Sequence, residues 1–241
     1  MFTNLFLLAL LSAPVLQAES KPGVVFVVGG VGGIDFIGLS ARLAFPGAGV
    51  QHEIQEFVWT HGTGRLLRDL QDTRHLMRKA DELAERVRRV KEAEPDRPVY
   101  LIGHSGGGGL VLAAAERLPP GTLERVILLS AAVAPDYDLR PALRATRGEI
   151  VSFHSEIDYF WLGWGTSQFG TTDRYYGSAA GRVGFVVPEN LSEKDRELYG
   201  RLVQKSWQPC LVLQHHGGLH VSTIMPDFLA KHVAPWLQAE R

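Results

Sequence analysis

A short glycine-rich segment in the middle of the chain has the residue types of a nucleophilic site. Gly103-His104-Ser105-Gly106-Gly107 fits the pattern Gly-x-Ser-x-Gly. In that pattern the serine stands on a sharp turn between a strand and a helix, where its hydroxyl can attack a carbonyl carbon. The turn strains the serine backbone and leaves no room for bulky neighbours. Because glycines surround Ser105, we predict that Ser105 is a nucleophile.

Other glycine-rich sites compete with this interpretation. A phosphate-binding loop needs a lysine after its last glycine, and no lysine follows in the required position. A dinucleotide-binding fingerprint fails at Gly30-Val31-Gly32, because Asp35 occupies the position of its third glycine. A plain flexible turn stays open as an alternative. The sequence around Ser105 favours the nucleophile, since an apolar run at 99–102 precedes it and an alanine-rich helical pattern follows.

A serine hydroxyl becomes a strong nucleophile only when a base removes its proton, and a histidine held by a carboxylate is the usual base. In chains with this turn, the acid and then the histidine follow the serine. Asp158 comes after a predicted strand at 150–153, and His220 after the last predicted strand, at 211–214. Ligands of open parallel sheets bind at the carboxyl ends of the strands. We therefore predict a catalytic triad of Ser105, Asp158 and His220.

The same reasoning leaves alternatives at two of these three positions. The other candidates are Asp136, Asp138 and Glu156 for the acid, and His215 and His216 for the base. The C-terminal histidines could also bind a metal, but no carboxylate or cysteine lies close to them in sequence. We predict neither a metal nor a cofactor. His61 and His154 are expected to be structural or to line the pocket.

An oxyanion hole should stabilise the charge that develops on the attacked carbonyl. One backbone amide comes from the residue after the nucleophile, here Gly106. The other comes from the loop after the first strand, where position predicts Val31. The alternative is that this loop is a tight turn that binds nothing.

The elements that must position these residues alternate along the chain. Strands are predicted at 24–28, 53–60, 99–102, 126–129, 150–153 and 211–214, and helices at 37–43, 66–90, 110–118, 192–203 and 226–237. Such alternation predicts an α/β fold with a mostly parallel central sheet and helices on both faces. The strand at 53–60 is less apolar and is expected near a sheet edge. The short stretch 130–149 leaves no space for a large cap domain.

Composition limits the class of protein. The chain has 241 residues, of which 45% are hydrophobic and 21% charged, as in a globular domain. A formal net charge of −1 gives no reason to expect a nucleic-acid partner, which usually needs a basic surface. The single cysteine, Cys210, lies in an apolar run and is predicted to be buried and inert.

The N-terminus predicts a targeting segment. Residues 5–16 are apolar, and Ala18-Glu19-Ser20 fits a cleavage site with small residues. We predict a signal peptide at 1–20 and one domain at 21–241, exported to the periplasm or secreted. If this segment is not a signal peptide, the protein is expected to be cytoplasmic. The apolar run is too short to span a bilayer, which needs about 20 residues.

Beyond these signals, the chain from about 24 to 237 resembles the α/β-hydrolase superfamily, and within it uncharacterised bacterial esterase/lipase-like proteins. The matching motifs are Gly30-Val31-Gly32-Gly33, Gly103 to Gly108, Ser155 to Asp158, Gly165-Thr166, Phe169 to Asp173, Gly217 to His220, Phe228 and Val233-Ala234-Pro235. The resemblance implies the α/β-hydrolase fold and favours Asp158 and His220 over their alternatives. The chain departs from the lipase pattern at Gly29, where many lipases have histidine.

Together these expectations describe a serine hydrolase, most simply a carboxylesterase-like enzyme that acts on a small-molecule ester through an acyl-enzyme. The aromatic residues expected to wall an acyl or aryl site are Trp161, Trp164, Phe169, Tyr175 and Tyr176. Trp59 and His61 follow the second strand and are candidates for the same neighbourhood. The alternatives are an acyltransferase or thioesterase on the same triad, and a non-catalytic binding module.

Overall fold

The computed structural model describes residues 22–34, 36–214 and 216–238. In these ranges the chain forms one six-stranded sheet in the order β2-β1-β3-β4-β5-β6, and all neighbouring strands are parallel. The strands are β1 (Val24–Val28), β2 (Glu53–Glu56), β3 (Val99–His104), β4 (Arg125–Leu129), β5 (Ile150–His154) and β6 (Leu202–Ser206). The predicted segment 1–20 lies outside the described residues.

Helices connect the strands. They are α1 (Ile37–Gly47), α2 (Leu66–Gln71), α3 (Thr73–Ala93), α4 (Gly106–Ala115), α5 (Arg140–Ala145), α6 (Thr166–Phe169), α7 (Ala180–Val183), α8 (Glu193–Tyr199), α9 (Pro226–Phe228) and α10 (Ala234–Gln238). There are also two π-helical turns. Phe160–Gly165 directly precedes α6, and Leu229–Val233 lies between α9 and α10. Among the described residues, no helix combines the length and the apolar character that crossing a bilayer would require.

The core has two layers, one on each face of the sheet. Val24, Phe26 and Val28 of β1 belong to the layer beneath α3 and α4. Val25 and Val27 belong to the opposite layer, beneath α1 and the C-terminal helices. Since successive side chains of a strand point to opposite faces, a strand that is covered on both faces must be apolar throughout. The predicted α/β-hydrolase fold, a parallel sheet with helices on both faces, is therefore confirmed.

The element boundaries follow local signals. The predicted helix 66–90 is two helices that meet at Asp72, whose side chain accepts a hydrogen bond from the His75 amide and so caps α3. Strand β2 is at the sheet edge, as expected from its polar sequence. Between β4 and β5 the only helix in the described chain is the six-residue α5, so no cap domain is inserted there.

The last strand was predicted wrongly. It is β6 (Leu202–Ser206), which pairs with β5, and not 211–214. Residues Pro209–Gln214 form a short 3-10 helix in which Leu213 is 88% exposed. An edge strand such as β6 is only partly buried, so its sequence has few apolar residues. A short apolar run such as 211–214 can be either a strand or a piece of helix, and periodicity does not distinguish the two. Cys210 lies in the same 3-10 helix and is exposed, so the prediction that it is buried is also wrong.

A cavity of about 430 Å³ lies between the C-terminal helices and the ends of β5 and β6. His216 lines it, is only 3% exposed, and packs its ring 4.4 Å from that of Phe228. Burial, and secondarily the nearby His232, lower the pKa of His216 to about 4. Burial also lowers the pKa of His232 and of His154, which line the same cavity.

The glycine at position 107 is required by the approach of α4 to the end of β1. A Cβ atom on Gly107 would lie 2.5 Å from the carbonyl oxygens of Val28 and Gly29. We expect Gly107→Ala to lower the free energy of unfolding by about 1–3 kcal/mol, because backbone must move to admit the methyl group. Chemical denaturation measures this change. Gly47→Ala is the control, since a Cβ there meets nothing within 4 Å. Equal losses in both variants would contradict the packing argument.

The buried His216 makes stability depend on pH. Its pKa is lower in the folded chain, about 4, than the ordinary value of 6.5, so the unfolded chain binds more protons between these values. We expect the unfolding free energy to fall as the pH is lowered from 6.5 to 4, by at most about 3 kcal/mol from this residue. His216→Phe should flatten that slope relative to the parent chain. Urea denaturation at several pH values tests it, and parallel curves for the two proteins would refute it.

Candidate active site

Ser105 occupies the turn between β3 and α4 with backbone angles φ 52° and ψ −122°. A residue with a side chain keeps a positive φ only when its surroundings fix it. Here the Ser105 amide donates to the Leu129 carbonyl at 2.9 Å, and the Ser105 carbonyl accepts from the amides of Gly108 and Ala132, both at 3.0 Å. These three bonds tie the turn to β4 and to the first turn of α4. The strand–turn–helix setting predicted for Ser105 is present.

Close packing explains the glycines around Ser105 better than flexibility does. A Cβ on Gly103 would lie 2.5 Å from the Gly107 carbonyl oxygen, and one on Gly108 would lie 2.7 Å from the Ala131 Cβ. A Cβ on Gly109 would collide with the hydroxyl of Thr172. The first turn of α4, which is made of glycines, therefore packs against its neighbours without side chains, while the later residues of the helix pack through theirs.

Asp158 and His220 form a buried pair at the same edge of the sheet. Asp158 follows β5, is 3% exposed, and its Oδ2 lies 2.7 Å from Nδ1 of His220. An ionised carboxylate only accepts hydrogen bonds, so Nδ1 carries the hydrogen and Nε2 of His220 is left as an acceptor. His104, next to the serine, faces this histidine from the other side, with ring centroids 4.9 Å apart. The pair is thus held beside the Ser105 turn.

The alternatives for acid and base lie elsewhere. Asp136, Asp138 and Glu156 are exposed, and Asp138 pairs with Arg140. His216 lines the 430 Å³ cavity and not the one that Ser105 lines. His215 lies outside the described residues. Within the described chain, no cluster of three or more histidine, cysteine or acidic residues is arranged to hold a metal ion.

The two predicted oxyanion donors belong to neighbouring loops. Val31 begins a 3-10 turn, Val31–Gly33, and Gly106 begins α4. A Cβ on Gly106 would lie 2.7 Å from Cγ1 of Val31, so the Val31 side chain packs against the backbone of the residue after the serine. The N-terminus of α4 adds the partial positive charge of the helix dipole at this point. The arrangement can stabilise a negative oxygen next to Ser105.

Ser105 and His220 open into one small cavity of about 190 Å³. Its other lining residues are almost all apolar: Val31, Leu66, Leu70, Ala132, Phe160, Trp161, Leu162, Trp164, Gly165, Thr166, Phe169 and Gly170. The predicted aromatic wall is present at Trp161, Trp164 and Phe169, whereas Tyr175 and Tyr176 are absent from the lining. The ring of Trp161 lies 5.9 Å from that of His220. Such a cavity can hold an apolar group against the serine.

The sequence interpretation missed three residues of α2. Leu66 and Leu70 line the cavity, and Asp69 accepts a hydrogen bond from the Gly32 amide at 2.8 Å. The sequence predicted a helix that begins at residue 66. A helical pattern does not reveal which loop the helix packs against, so these contacts were not predicted. Trp59 and His61, which were candidates for this neighbourhood, contact the same region: Trp59 Nε1 donates to the Gly29 carbonyl at 2.8 Å, and His61 contacts Asp69.

Comparison with known proteins adds the family context. Residues 60–168 match the model of a hydrolase family described as serine aminopeptidase, S33. That segment includes Ser105 and Asp158 and ends before His220. Comparison with curated proteins gives no match.

Three solved structures are similar to this chain. A CIB-like hydrolase from Thermoplasma acidophilum aligns with a TM-score of 0.51 at 15% identity, over 91% of this chain and 87% of that one. A serine hydrolase without a lid from Xanthomonas campestris gives 0.49 at 14% identity, over 93% and 88%. A cutinase-like protein from Cryptococcus sp. gives 0.49 at 13% identity, over 91% and 94%. At these identities the first alignment supports the fold alone. Together with the parallel sheet and the strand–serine–helix turn, this alignment shows that the chain has the α/β-hydrolase fold.

Proposed function

We propose that this protein is a serine hydrolase that cleaves a small-molecule carboxylic ester. The observation that carries the proposal is a strained Ser105 and a buried Asp158–His220 pair that meet at one apolar cavity. The family model over residues 60–168 and the Thermoplasma acidophilum structure both bear hydrolase names, which supports the reaction class. A nucleophile, a base and an acid in this order are what an acyl transfer to water requires.

The proposed reaction has two halves. In the first, Oγ of Ser105 attacks the ester carbonyl while Nε2 of His220 takes the hydroxyl proton. The amides of Val31 and Gly106 hold the oxygen that becomes negative, and Asp158 stabilises the charged imidazole. The histidine then gives its proton to the leaving alcohol, and the acyl group stays on Ser105. In the second half, the same histidine takes a proton from water, whose oxygen attacks the acyl carbon. The histidine then returns this proton to Oγ of Ser105 as the bond between Oγ and the acyl carbon breaks and the carboxylic acid leaves.

The cavity favours an ester with an apolar acyl or aryl group over a peptide N-terminus. An aminopeptidase must bind a protonated amine, and a carboxylate normally does so by charge pairing. None of the described residues that line the Ser105 cavity is acidic. Burying an unpaired ammonium among tryptophan, phenylalanine and leucine side chains would be strongly unfavourable. A cavity of about 190 Å³ is also smaller than the usual range for drug-sized ligands. The proposed substrates are therefore short or medium, uncharged acyl or aryl esters.

A panel of p-nitrophenyl esters of graded chain length tests the reaction and the size limit together. We expect the wild-type chain to hydrolyse short and medium esters, and Ser105→Ala to lower kcat/KM by about 10⁴-fold or more. A fluorophosphonate probe should label the wild type and not the variant. Ester hydrolysis that survives unchanged in Ser105→Ala would remove this serine from the mechanism.

Two histidines four residues apart provide a matched pair for the base. We expect His220→Ala to lower kcat by about 10³-fold or more, because the variant lacks the imidazole that is proposed to take the serine proton. His216→Ala should change kcat by less than about threefold, since that ring lines a different cavity. Steady-state kinetics on one ester, with circular dichroism to verify folding, measure both. The opposite ranking of the two variants would show that the base is misassigned.

A further inference from the structure

Asp69 is a buried carboxylate that touches none of the groups in the proposed reaction. It lies on α2 and is 1% exposed. Its Oδ2 accepts a hydrogen bond from the Gly32 amide at 2.8 Å. Its Oδ1 lies 2.7 Å from the backbone nitrogen of His61 and 2.8 Å from Nδ1 of the same residue. A buried carboxylate is tolerated only when such donors satisfy it. Burial of the Asp69 carboxylate would be unfavourable in free energy without these three donors.

The partner of Asp69 on the loop stands directly after a proposed oxyanion donor. The bond to the Gly32 amide fixes the peptide unit that joins Val31 to Gly32. Gly32 has a φ of 84° and Gly33 a φ of 66°, and positive values of this kind favour glycine. Because both residues are glycines, the turn has no side chains at these positions to anchor it. A loop of this kind needs an external anchor if its amides are to keep one direction.

Other contacts hold the same loop at its two ends. The Gly64 amide donates to the Gly32 carbonyl at 2.9 Å, and Nε1 of Trp59 donates to the Gly29 carbonyl at 2.8 Å. Both come from the segment after β2, as does His61. Among these contacts Asp69 is the charged one, and charge-assisted hydrogen bonds are shorter and stronger than neutral ones.

His61 keeps the carboxylate of Asp69 in place. Its ring stands between two acids, with Nδ1 at 2.8 Å from Asp69 and Nε2 at 3.3 Å from Asp72. The ring also packs on that of His75, with centroids 3.9 Å apart. The side chain of His75 in turn contacts the Trp59 carbonyl. The two oxygens of Asp69 are thus directed at different partners, one at the segment after β2 and one at the loop after β1.

We propose that Asp69 is the positioning residue of the oxyanion hole: it holds the Gly32 amide and thereby directs the Val31 N–H at the oxygen that becomes negative. This inference rests on the proposed function. The same short helix carries Leu66 and Leu70 in the cavity wall, so α2 sets both the acyl-binding surface and the oxyanion loop. A residue that merely anchored α2 would affect folding and leave the chemical step of the folded enzyme unchanged.

Asp69→Asn tests the proposal, because it keeps the shape and places an NH₂ group against an N–H donor. We expect kcat to fall about 10- to 100-fold, with KM changed less than about threefold. The fall is smaller than the roughly 100- to 1000-fold loss on removal of an oxyanion donor, because the Val31 N–H is misdirected and not removed. Labelling of Ser105 by a fluorophosphonate should slow by a similar factor, since its phosphoryl oxygen occupies the same hole. The control is Asp72→Asn, which contacts His61 from the other side and leaves Gly32 untouched. It should keep kcat within about threefold of the wild type.

The outcomes separate this inference from the proposed function. If the wild type neither hydrolyses esters nor reacts with the probe, the proposed function fails. If Ser105 is required but folded Asp69→Asn turns over as fast as Asp72→Asn, only the role of Asp69 fails. If Asp69→Asn lowers thermal stability but leaves kcat unchanged, the role of Asp69 in the oxyanion hole also fails.

A crystal structure of the full wild-type chain with a phosphonate on Ser105 tests the geometry without any variant. We expect the phosphoryl oxygen within about 3.1 Å of the Val31 and Gly106 nitrogens, with the bond from Gly32 to Asp69 intact. This measurement stands even if Asp69→Asn does not fold. A phosphoryl oxygen bound by other donors, with the Val31 amide directed away, would overturn the inference.

Discussion

Ser105 holds a backbone conformation with φ at 52°, and the rest of the site is arranged around the bonds that keep it there. Its amide is bonded to β4, and its carbonyl to the start of α4 and to the residue after β4. The helix can begin that close to the strand ends only because glycines at 103, 107 and 108 let backbones meet at distances no side chain would permit. Close packing and backbone strain therefore act together at this turn, and they hold the buried Ser105 at the cavity wall.

The parallel sheet gives the other parts of the site a common edge. β1 leads into the Val31–Gly33 turn, β3 into Ser105, and β5 into the turn that carries Asp158. His220 reaches this edge from a loop, after β6 and the 3-10 helix Pro209–Gln214. Since parallel strands in register end together, residues more than a hundred positions apart come within one cavity. The register of β1 with β3 and of β3 with β4 sets these distances.

Two buried carboxylates stabilise this edge in different ways. Asp158 bonds a histidine ring, and Asp69 bonds a loop amide and a histidine. Both are almost completely buried. Both oxygens of Asp69 and Oδ2 of Asp158 lie within hydrogen-bond distance of nitrogen atoms. An ionised group in a low-dielectric interior exerts a strong field on its partners and would be costly if left unpaired. This pairing explains how a cavity with an apolar lining can be bordered by charge.

The sequence by itself determined the features that depend on local chemistry. The Gly-x-Ser-x-Gly turn, the apolar strand before it and the helix after it, and the helical pattern at 66–90 all follow from residue type and spacing. Asp158 and His220 were selected by their order and by their place after predicted strands. Their assignment as acid and base stays a prediction, which the 2.7 Å contact between them supports. The predicted signal segment 1–20 lies outside the described residues.

Only the tertiary structure decided the features that depend on which surfaces meet. β6 was not recognised, because an edge strand with polar residues has little apolar periodicity, and the apolar run at 211–214 was taken in its place. His216 and His220 are four residues apart, yet His216 packs against Phe228 and lines a second cavity, while Asp158 holds His220. Asp69 is an ordinary helical residue until folding brings it to a loop 37 positions away. Burial and long-range contact are properties of the folded chain, and no local pattern encodes them.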